Sequence, residues 1–350
     1  MPALALADVL AERGHEVAFC GTEKGMESQL VPRAGYPFSK VRIRGFDRDF
    51  GLSTLRTLGS LPVAAVDAWR VLRAFRPDCV VGVGAYASGP VVAEAAVRAI
   101  PAVAVEMDSH MGWTNRILSL MVDKVCVSFP LPEGTPAKYV YTGRPLRPAL
   151  LTATREEGLT RFGLSAERPV LLVFGGSLGA HAINEVVVAA FARAHTSFQV
   201  LHVTGERDFA SVSETLTQPD ANPSYQAHAF LDDFPLALAA ADAVVARAGG
   251  SVAEILARGV PSLLVPYPYA AGEHQSKNAK TVADAGAALT VANADLDVPT
   301  LIHAVDTLID PDTNARMRIA ALSLAKPDAA VRLADVVVEL VARRAGRHHD

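Results

Sequence analysis

The chain has 350 residues, of which half are hydrophobic and a fifth charged, and its formal net charge at pH 7 is -4. This composition predicts a globular protein long enough for two domains and excludes an intrinsically disordered chain. The small negative charge gives no reason to expect a nucleic-acid partner, and we predict none. No uncharged apolar run reaches the ~18 residues of a membrane span without an interrupting glycine or proline.

The chain begins within a predicted amphipathic helix. Pro2 occupies a first-turn position, apolar residues follow at helical spacing, and Gly14 ends the pattern before a strand-like run at 15–21. In doubly wound α/β domains a buried strand precedes the first helix, and the turn between them binds anionic ligands. We therefore expect a strand and a turn upstream of Met1.

The stretch from Phe38 to Arg76 differs in charge from the rest of the chain. It holds eight basic and three acidic residues, interleaved with leucines and with aromatic residues that include Trp69. Such a mixture suits a surface that meets anionic lipid. The alternative interpretation is an ordinary amphipathic helix that buries its leucines and extends its arginines into solvent.

Short apolar runs alternate with helical patterns along the chain. They predict strands at 16–21, 79–84, 102–107, 124–130, 169–176, 199–205, 242–250 and 261–268. Runs that are buried on both faces and separated by helices are typical of parallel sheets, and the two series indicate two Rossmann-like domains of the α/β class.

We place the domain boundary in a segment that is rich in proline and charge and has no strand pattern. The predicted parts are an N-terminal domain at 1–145, a linker at 146–168, a C-terminal domain at 169–326 and a final helix at 327–350. The final helix carries an apolar stripe and a basic end, so we expect it to pack back towards the first domain.

The strongest site signal follows the predicted strand at 169–176. Gly176, Ser177 and Gly179 form a glycine-rich turn before a helical pattern. Glycine lets backbone N–H groups approach a phosphate, the helix N-terminus adds partial positive charge, and the Ser177 hydroxyl adds a hydrogen bond. We predict a phosphate site here, and the alternative is a tight turn without a ligand.

Two further polar segments also follow predicted strands. Gly249 and Gly250 precede Glu254, whose carboxylate is placed to accept hydrogen bonds from both hydroxyls of a ribose. Without a ligand, such an acid would only complement the helix dipole. His274 and Gln275 follow the next strand, where neutral hydrogen-bonding groups suit a sugar, and an unliganded polar loop is the alternative.

These motifs, in this order, make the chain resemble the MurG family of glycosyltransferases. The resemblance covers nearly the whole chain and rests on the segments "PALALADVL", "GTEKGMESQLVP", "GAYASGP", "NRIL", "VSFP", "TGRPLRP", "VFGGSLGA", "GEHQSKNA" and "ADAGAA". It implies a GT-B fold, in which two Rossmann-like domains face each other across a cleft. It also implies inverting transfer of N-acetylglucosamine from UDP-N-acetylglucosamine to undecaprenyl-diphosphate-linked N-acetylmuramoyl-pentapeptide, the step from lipid I to lipid II in peptidoglycan synthesis.

The resemblance implies roles for individual residues. On the donor side it assigns the diphosphate to Gly176, Ser177 and Gly179, the ribose to Glu254 beside Gly249 and Gly250, the uracil to Phe230 and Leu231, the sugar hydroxyls to His274 and Gln275, and a position near the nucleotide to Arg147. On the acceptor side it places Glu106, Asp108 and Asn115.

No cofactor and no metal are expected. Asp47 and Asp49 resemble the metal-binding Asp-x-Asp motif of other glycosyltransferases, but they lie in the basic stretch, where a solvated charge run is the simpler interpretation. The partners implied by the resemblance are the nucleotide sugar, the lipid-linked acceptor and an anionic membrane surface. The expected location is peripheral, at the cytoplasmic face of the bacterial plasma membrane.

The sequence also departs from the family pattern. The family begins with a strand and a glycine-rich turn whose histidine is the proposed general base, and both would lie upstream of Met1. The chain is therefore interpreted as an N-terminally truncated, somewhat divergent member. Without that histidine, the candidate bases are Glu106, Asp108 and His110.

Three other functions stay open from the sequence alone. A UDP-N-acetylglucosamine 2-epimerase has the same fold and donor nucleotide, and it needs no acceptor and no lipid-facing surface. A related GT-B transferase would use another lipid or an antibiotic as its acceptor. The third alternative is a non-catalytic protein that binds a nucleotide sugar.

Overall fold

The structure is a computed structural model that describes residues 1–23, 25, 27–43, 52–84, 88–109, 111–176, 179–270 and 273–346, with the backbone alone at 52–61, 113 and 345. The chain divides into two compact units. The first comprises 1–147 together with 328–350, and the second comprises 148–327.

The first unit contains two parallel ladders. Its elements up to residue 147 are α1 (Pro2–Glu12), β1 (Phe19–Gly21), α2 (Glu27–Arg33), β2 (Phe38–Lys40), α3 (Leu52–Phe75), β3 (Val80–Val83), α4 (Gly89–Val97), β4 (Ala102–Glu106), α5 (Trp113–Leu118), β5 (Lys124–Val127) and β6 (Tyr139–Tyr141). Strand β1 pairs with β2, and the other four strands form a sheet in the order β3-β4-β5-β6.

The second unit is built on a six-stranded parallel sheet. Its elements are α6 (Pro148–Thr152), α7 (Arg155–Phe162), β7 (Val170–Phe174), α8 (His181–Phe191), β8 (Gln199–Val203), α9 (Glu206–Leu216), β9 (Tyr225–His228), α10 (Phe234–Ala240), β10 (Ala243–Ala246), α11 (Val252–Ala257), β11 (Ser262–Leu264), α12 (His274–Asp284), β12 (Ala288–Thr290), α13 (Val298–Ile309) and α14 (Pro311–Leu324). The strand order is β12-β11-β10-β7-β8-β9. Because all six strands are parallel, the loops that follow them lie at one edge of the sheet.

A last helix, α15 (Ala329–Gly346), belongs to the first unit. Leu333 on this helix packs with Leu6 of α1 and with Val105 and Cys126 of the sheet. Arg13 at the end of α1 forms an ion pair with a carboxylate of α15 at 2.8 Å. The C-terminal helix therefore completes a layer of the first unit's core.

Four strands were not predicted from the sequence: β2, β6, β9 and β12. Each of them lies at the end of its ladder, where one side of the strand has no strand partner among the residues that the structure describes. Their burial is correspondingly mixed, in contrast to β7 and β8, which are buried throughout. An edge strand needs no continuous apolar run, so the pattern that predicted the central strands does not reveal it.

The segment predicted as a linker, 146–168, contains the two helices α6 and α7. Helix α7 begins with a capping box, in which the Thr154 hydroxyl accepts from the backbone N–H of Glu157 and the Glu157 carboxylate accepts from the backbone N–H of Thr154. Gly158 lies so close to the Leu236 carbonyl of α10 that a Cβ there would collide with it. The segment is therefore partly helical, and α7 packs tightly against α10 within the second unit.

Candidate functional site

The glycine-rich turn connects β7 to α8 in the second unit. Gly176 and Gly179 have φ angles of +96° and +74°, in the region that favours glycine. A Cβ at Gly179 would collide with the carbonyl oxygen of Thr204, which follows the neighbouring strand β8. Gly179 is therefore required for two independent reasons, its φ angle and its close approach to Thr204. Ser177 lies outside the described residues.

The second motif follows β10, which pairs directly with β7. Glu254 lies in the first turn of α11, the position that the sequence predicts, and it is half-buried; its contact with a ribose stays a prediction. Gly249 and Gly250 form the turn before this helix and are also half-buried. The loops after β7 and β10 are thus neighbours at the same sheet edge.

Arg247 is a candidate that the sequence analysis did not single out. Its side chain starts at the end of β10, is 9% exposed and donates to the carbonyls of Val265 at 3.1 Å and Pro266 at 3.2 Å. Its guanidinium also lies 5.6 Å from the centre of the Tyr267 ring. Burial lowers the pKa of Arg247 below its usual value. The one available signal was a cation placed at the end of an otherwise apolar strand.

The third motif joins the second through direct contacts. The Gln275 side-chain oxygen accepts from the backbone N–H of Tyr267 at 2.9 Å, and Asn278 of α12 donates to the Ala248 carbonyl at 3.1 Å. The position of a Cβ at Gly249 would lie 3.7 Å from the Gln275 side-chain nitrogen. His274 is the first residue of α12 and is half-buried. The structure therefore brings Gly249 and Gln275 together, although 26 residues separate them in the chain.

The remaining predicted donor residues lie at two other places. Phe230 and Leu231 follow the edge strand β9; the Phe230 ring is exposed and Leu231 is buried. They are on the same edge of the sheet as the glycine-rich turn, separated from it by the loop after β8. Arg147 is half-buried and is the last residue of the first unit before α6.

On the predicted acceptor side, the Glu106 carboxylate is used by its own loop. It is 7% exposed and accepts from the backbone N–H groups of Asp108 and Gly112, both at 3.1 Å, and from the Asn115 amide at 2.9 Å. Asn115 also donates to the Val105 carbonyl at 3.3 Å. Three donors on a buried carboxylate favour a role in fixing the loop over a role as a base. His110 lies outside the described residues.

Part of the basic stretch also lies outside the described residues, including Asp47 and Asp49. Arg42 donates twice to the buried Asp67 carboxylate, at 2.8 Å each, and these hydrogen bonds lower the pKa of Asp67 to about 2. Part of the positive charge is therefore neutralised within the first unit. Among the residues that the structure describes, no group of three His, Cys, Asp or Glu side chains is placed to hold a metal ion.

Exposed apolar side chains occur on α3 and at the end of α5, and two arginines lie beside the one on α3. Trp69 is 38% exposed and has the guanidinium groups of Arg73 and Arg98 at 5.0 and 5.7 Å from its ring. At the end of α5, Ile117 is 59% and Leu120 is 83% exposed. Helix α4 packs against both α3 and α5. None of the helices in the described ranges is both long and apolar enough to cross a membrane.

Two family profiles match this chain. The glycosyltransferase family 28 N-terminal domain matches residues 1–127, and the glycosyltransferase family 28 C-terminal domain matches residues 170–333. The UDP-N-acetylglucosamine–N-acetylmuramyl-(pentapeptide) pyrophosphoryl-undecaprenol N-acetylglucosamine transferase 1 of Bacillus cereus is 39% identical over 347 residues, which cover 97% of this chain and 95% of the relative.

Solved structures give the same result for the fold. The crystal structure of Acinetobacter baumannii MurG matches with a TM-score of 0.78 and 27% identity, covering 97% of this chain and 95% of that one. A UDP-GlcNAc 2-epimerase from Neisseria meningitidis, bound to UDP-GlcNAc, matches with a TM-score of 0.68 at 16% identity, covering 98% and 97%. At this identity the epimerase shows a shared fold and nothing more.

The comparisons confirm the predicted GT-B fold, an α/β architecture with parallel sheets in both units. The prediction of a missing N-terminal strand finds no support in coverages of 95% and above, and it stays a prediction. Identity of 39% over nearly the whole chain, with both family 28 domains matched in order, decides the family. The chain belongs to the MurG family of glycosyltransferases, within glycosyltransferase family 28.

Proposed function

We propose that this chain transfers N-acetylglucosamine from UDP-N-acetylglucosamine to undecaprenyl-diphosphate-linked N-acetylmuramoyl-pentapeptide, converting lipid I to lipid II. The observation that carries the proposal is 39% identity over 97% of the chain to a transferase whose name states that donor and that acceptor. The meeting of three donor-type motifs at one edge of the second unit's sheet supports it.

The donor's diphosphate is proposed to lie on the turn between β7 and α8. Backbone N–H groups there, together with the N-terminus of the 11-residue helix α8, favour negative charge. Ser177 would add a hydroxyl donor, as the family resemblance implies. The buried cation of Arg247 lies after the adjacent strand β10 and adds positive potential at the same edge.

The rest of the donor is assigned by chemical type. Glu254 would accept hydrogen bonds from the ribose hydroxyls, and its place in the first turn of α11 supports this role. Gln275, held by the backbone of Tyr267, would contact the transferred sugar together with His274. The uracil beside Phe230 and Leu231, and the nucleotide contact of Arg147, stay predictions from the family resemblance.

The proposed chemistry is an inverting displacement. A hydroxyl oxygen of the acceptor sugar forms a bond to the anomeric carbon while the bond from that carbon to the UDP oxygen breaks, and UDP leaves with the bonding electrons. The negative charge that develops on the leaving phosphate is stabilised by preorganised N–H groups. The acceptor proton passes to a base, for which Asp108 and His110 stay predictions, whereas the hydrogen bonds of Glu106 favour a bracing role.

We propose that the protein acts as a peripheral protein at the cytoplasmic face of the bacterial plasma membrane. The lipid-linked acceptor requires access to a bilayer surface. Trp69 with its two stacked arginines, and the exposed apolar residues of α5, supply the mixture of apolar and cationic groups that binds an anionic interface.

The test is transfer of radiolabelled N-acetylglucosamine from UDP-N-acetylglucosamine to lipid I, with the product extracted into organic solvent. We expect labelled lipid II from the wild-type chain and a loss of at least tenfold in kcat/KM for Glu254→Ala. The matched control is Glu214→Ala, which removes an exposed carboxylate from α9 of the same unit. The proposal would be refuted if no lipid became labelled with any acceptor, or if the protein converted the donor to UDP-N-acetylmannosamine, as a 2-epimerase would.

A further inference from the structure

A chain of buried polar side chains runs through the second unit beside the glycine-rich turn. His202 lies on β8 and is fully buried. Its Nδ1 is 2.7 Å from the Tyr225 hydroxyl, and its Nε2 is 2.9 Å from the Asn184 side-chain oxygen. Asn184, on α8, is buried as well and donates at 2.8 Å to both the Thr204 carbonyl and the Asp208 carboxylate.

The positions of the hydrogen atoms in this chain follow from its ends. A carbonyl and a carboxylate only accept, so the NH₂ group of Asn184 must face Thr204 and Asp208. The Asn184 oxygen then faces His202, whose Nε2 must carry the proton and whose Nδ1 accepts from Tyr225. Burial lowers the pKa of His202 to about 3, so the imidazole stays neutral, as this arrangement requires.

This series of hydrogen bonds ends at the carbonyl oxygen that lies against the glycine-rich turn. The Thr204 carbonyl oxygen lies against the Cα of Gly179 so closely that a Cβ cannot fit between them. Asn184 connects this carbonyl to α8, and its own backbone N–H donates to the Ala180 carbonyl, at the end of the turn, at 2.9 Å. Asn184 is therefore hydrogen-bonded both to the carbonyl that packs against the turn and to the residue at the end of the turn. His202 fixes the orientation of the Asn184 amide.

An apolar residue at position 202 would satisfy the packing of β8, whose interior neighbours Leu201 and Val203 are apolar and buried. It would leave the Asn184 oxygen and the Tyr225 hydroxyl without their partner in this chain of hydrogen bonds. The imidazole orients both of its hydrogen-bond partners, because one ring nitrogen accepts and the other donates in directions that the rigid ring fixes.

We propose that His202 is a positioning residue for the donor's diphosphate: through Asn184 and the Thr204 carbonyl it fixes the position of Gly179 in the turn between β7 and α8. The inference rests on the proposed function, since it assumes that this turn binds the diphosphate. His202 itself does not touch the nucleotide. Its loss therefore weakens nucleotide binding by loosening the turn, without removing a ligand contact.

The experiment measures the dissociation constant for UDP by calorimetry, together with the unfolding temperature, for His202→Leu, His202→Gln and Tyr225→Phe. Leucine removes both hydrogen bonds, whereas glutamine can place an N–H donor near the position of Nε2. We expect UDP binding to weaken at least tenfold in His202→Leu, to be largely restored in His202→Gln, and to weaken a few-fold in Tyr225→Phe. Tyr225→Phe keeps its ring and tests the same chain if His202→Leu does not fold.

The matched control is Asn222→Ala. The Asn222 side chain is also buried and donates to the Phe191 carbonyl at 3.1 Å, but it precedes β9 and so lies at the opposite edge of the sheet. It should lower the unfolding temperature and leave UDP affinity within twofold. Hydrogen exchange of the peptide covering 174–181 should become faster in His202→Leu and stay unchanged in Asn222→Ala.

Two results would overturn the inference alone. The first is wild-type UDP affinity in a folded His202→Leu or Tyr225→Phe protein while Gly179→Ala loses binding. The second is an equal loss of affinity in Asn222→Ala and His202→Leu, which would indicate general destabilisation. A wild-type chain that does not bind UDP would instead remove the proposed function, and the inference with it.

Discussion

The loop after β4 in the first unit and the loops after β7 and β10 in the second unit all follow buried parallel strands. In the first unit, the polar groups of the loop serve each other: Glu106 accepts from Asp108, Gly112 and Asn115. In the second unit, the Thr204 carbonyl lies against Gly179 of the glycine-rich turn and is itself held by the Asn184 amide.

This difference separates a brace from a binding surface. The type and position of a carboxylate that follows a strand make it a catalytic candidate. Its oxygens can nevertheless already be hydrogen-bonded to donors of its own loop. A glycine has no side chain that could form such hydrogen bonds. The capacity of a glycine-rich turn to bind an anion therefore depends on the groups that pack against its backbone.

The largest effect should come from Gly179→Ala. The new Cβ would collide with the Thr204 carbonyl, and the alanine would have to adopt a φ of +74°. The backbone of the turn must therefore shift. We expect UDP binding to fall at least 100-fold. The control is Gly134→Ala, where φ is +79° but a Cβ would meet nothing within 4 Å, so it adds strain without a collision. Unchanged UDP affinity in Gly179→Ala would place the diphosphate elsewhere.

Glu106→Gln tests the brace in the first unit. Glutamine would place an NH₂ group against N–H groups that now donate to the carboxylate, and two donors cannot form a hydrogen bond. We therefore expect a loss of about 1–3 kcal/mol in the free energy of unfolding. Turnover should fall less than tenfold, with the pH dependence of kcat unchanged. A loss of 1000-fold or more in kcat without a loss of stability would identify Glu106 as the base and reverse the comparison.

The same contrast shows how much of this molecule is predictable from sequence. The central strands and the glycine turn were predicted because each carries a local signal: a continuous apolar run, or glycines at fixed offsets. The bracing of Glu106 was missed because it depends on how its own loop folds back on the carboxylate, although the three partners are close in sequence. The edge strand β9 was missed because its pairing depends on a neighbour distant in sequence. Arg247 was missed for the same reason, since its acceptors are the carbonyls of Val265 and Pro266, which follow a different strand.

The buried support in the second unit predicts a pH dependence of stability. The pKa of His202 is lowered to about 3 by burial, while the Asp208 carboxylate raises it by a smaller amount; in the unfolded chain it is about 6.5. Between these values the unfolded state binds the extra proton, so stability falls as the pH drops below about 6.5, by up to about 1.4 kcal/mol per pH unit.

The contribution of His202 to the pH dependence of stability can be distinguished from the contributions of other titratable groups. His202→Leu should have a shallower loss of stability between pH 6.5 and pH 4.5 than the wild type, measured by chemical unfolding. His303→Gln, which replaces an exposed histidine of α13, should keep the wild-type slope. Half-buried His228, whose pKa is lowered by burial and by Arg161, contributes with the same sign in all three proteins. Equal slopes in His202→Leu and the wild type would contradict the neutral, buried imidazole.

The smallest expected effect concerns the outer surface of the first unit. Trp69→Ala removes an exposed ring together with the platform for Arg73 and Arg98, so we expect binding to vesicles of anionic phospholipid to weaken about three- to tenfold. Ile319→Ala is the control, because Ile319 is equally apolar and 71% exposed but lies on α14 of the second unit. If membrane binding depends on general apolar exposure, both variants will weaken it. If it depends on the pairing of an aromatic ring with arginines, only Trp69→Ala will, and added salt will reduce the difference between Trp69→Ala and the wild type.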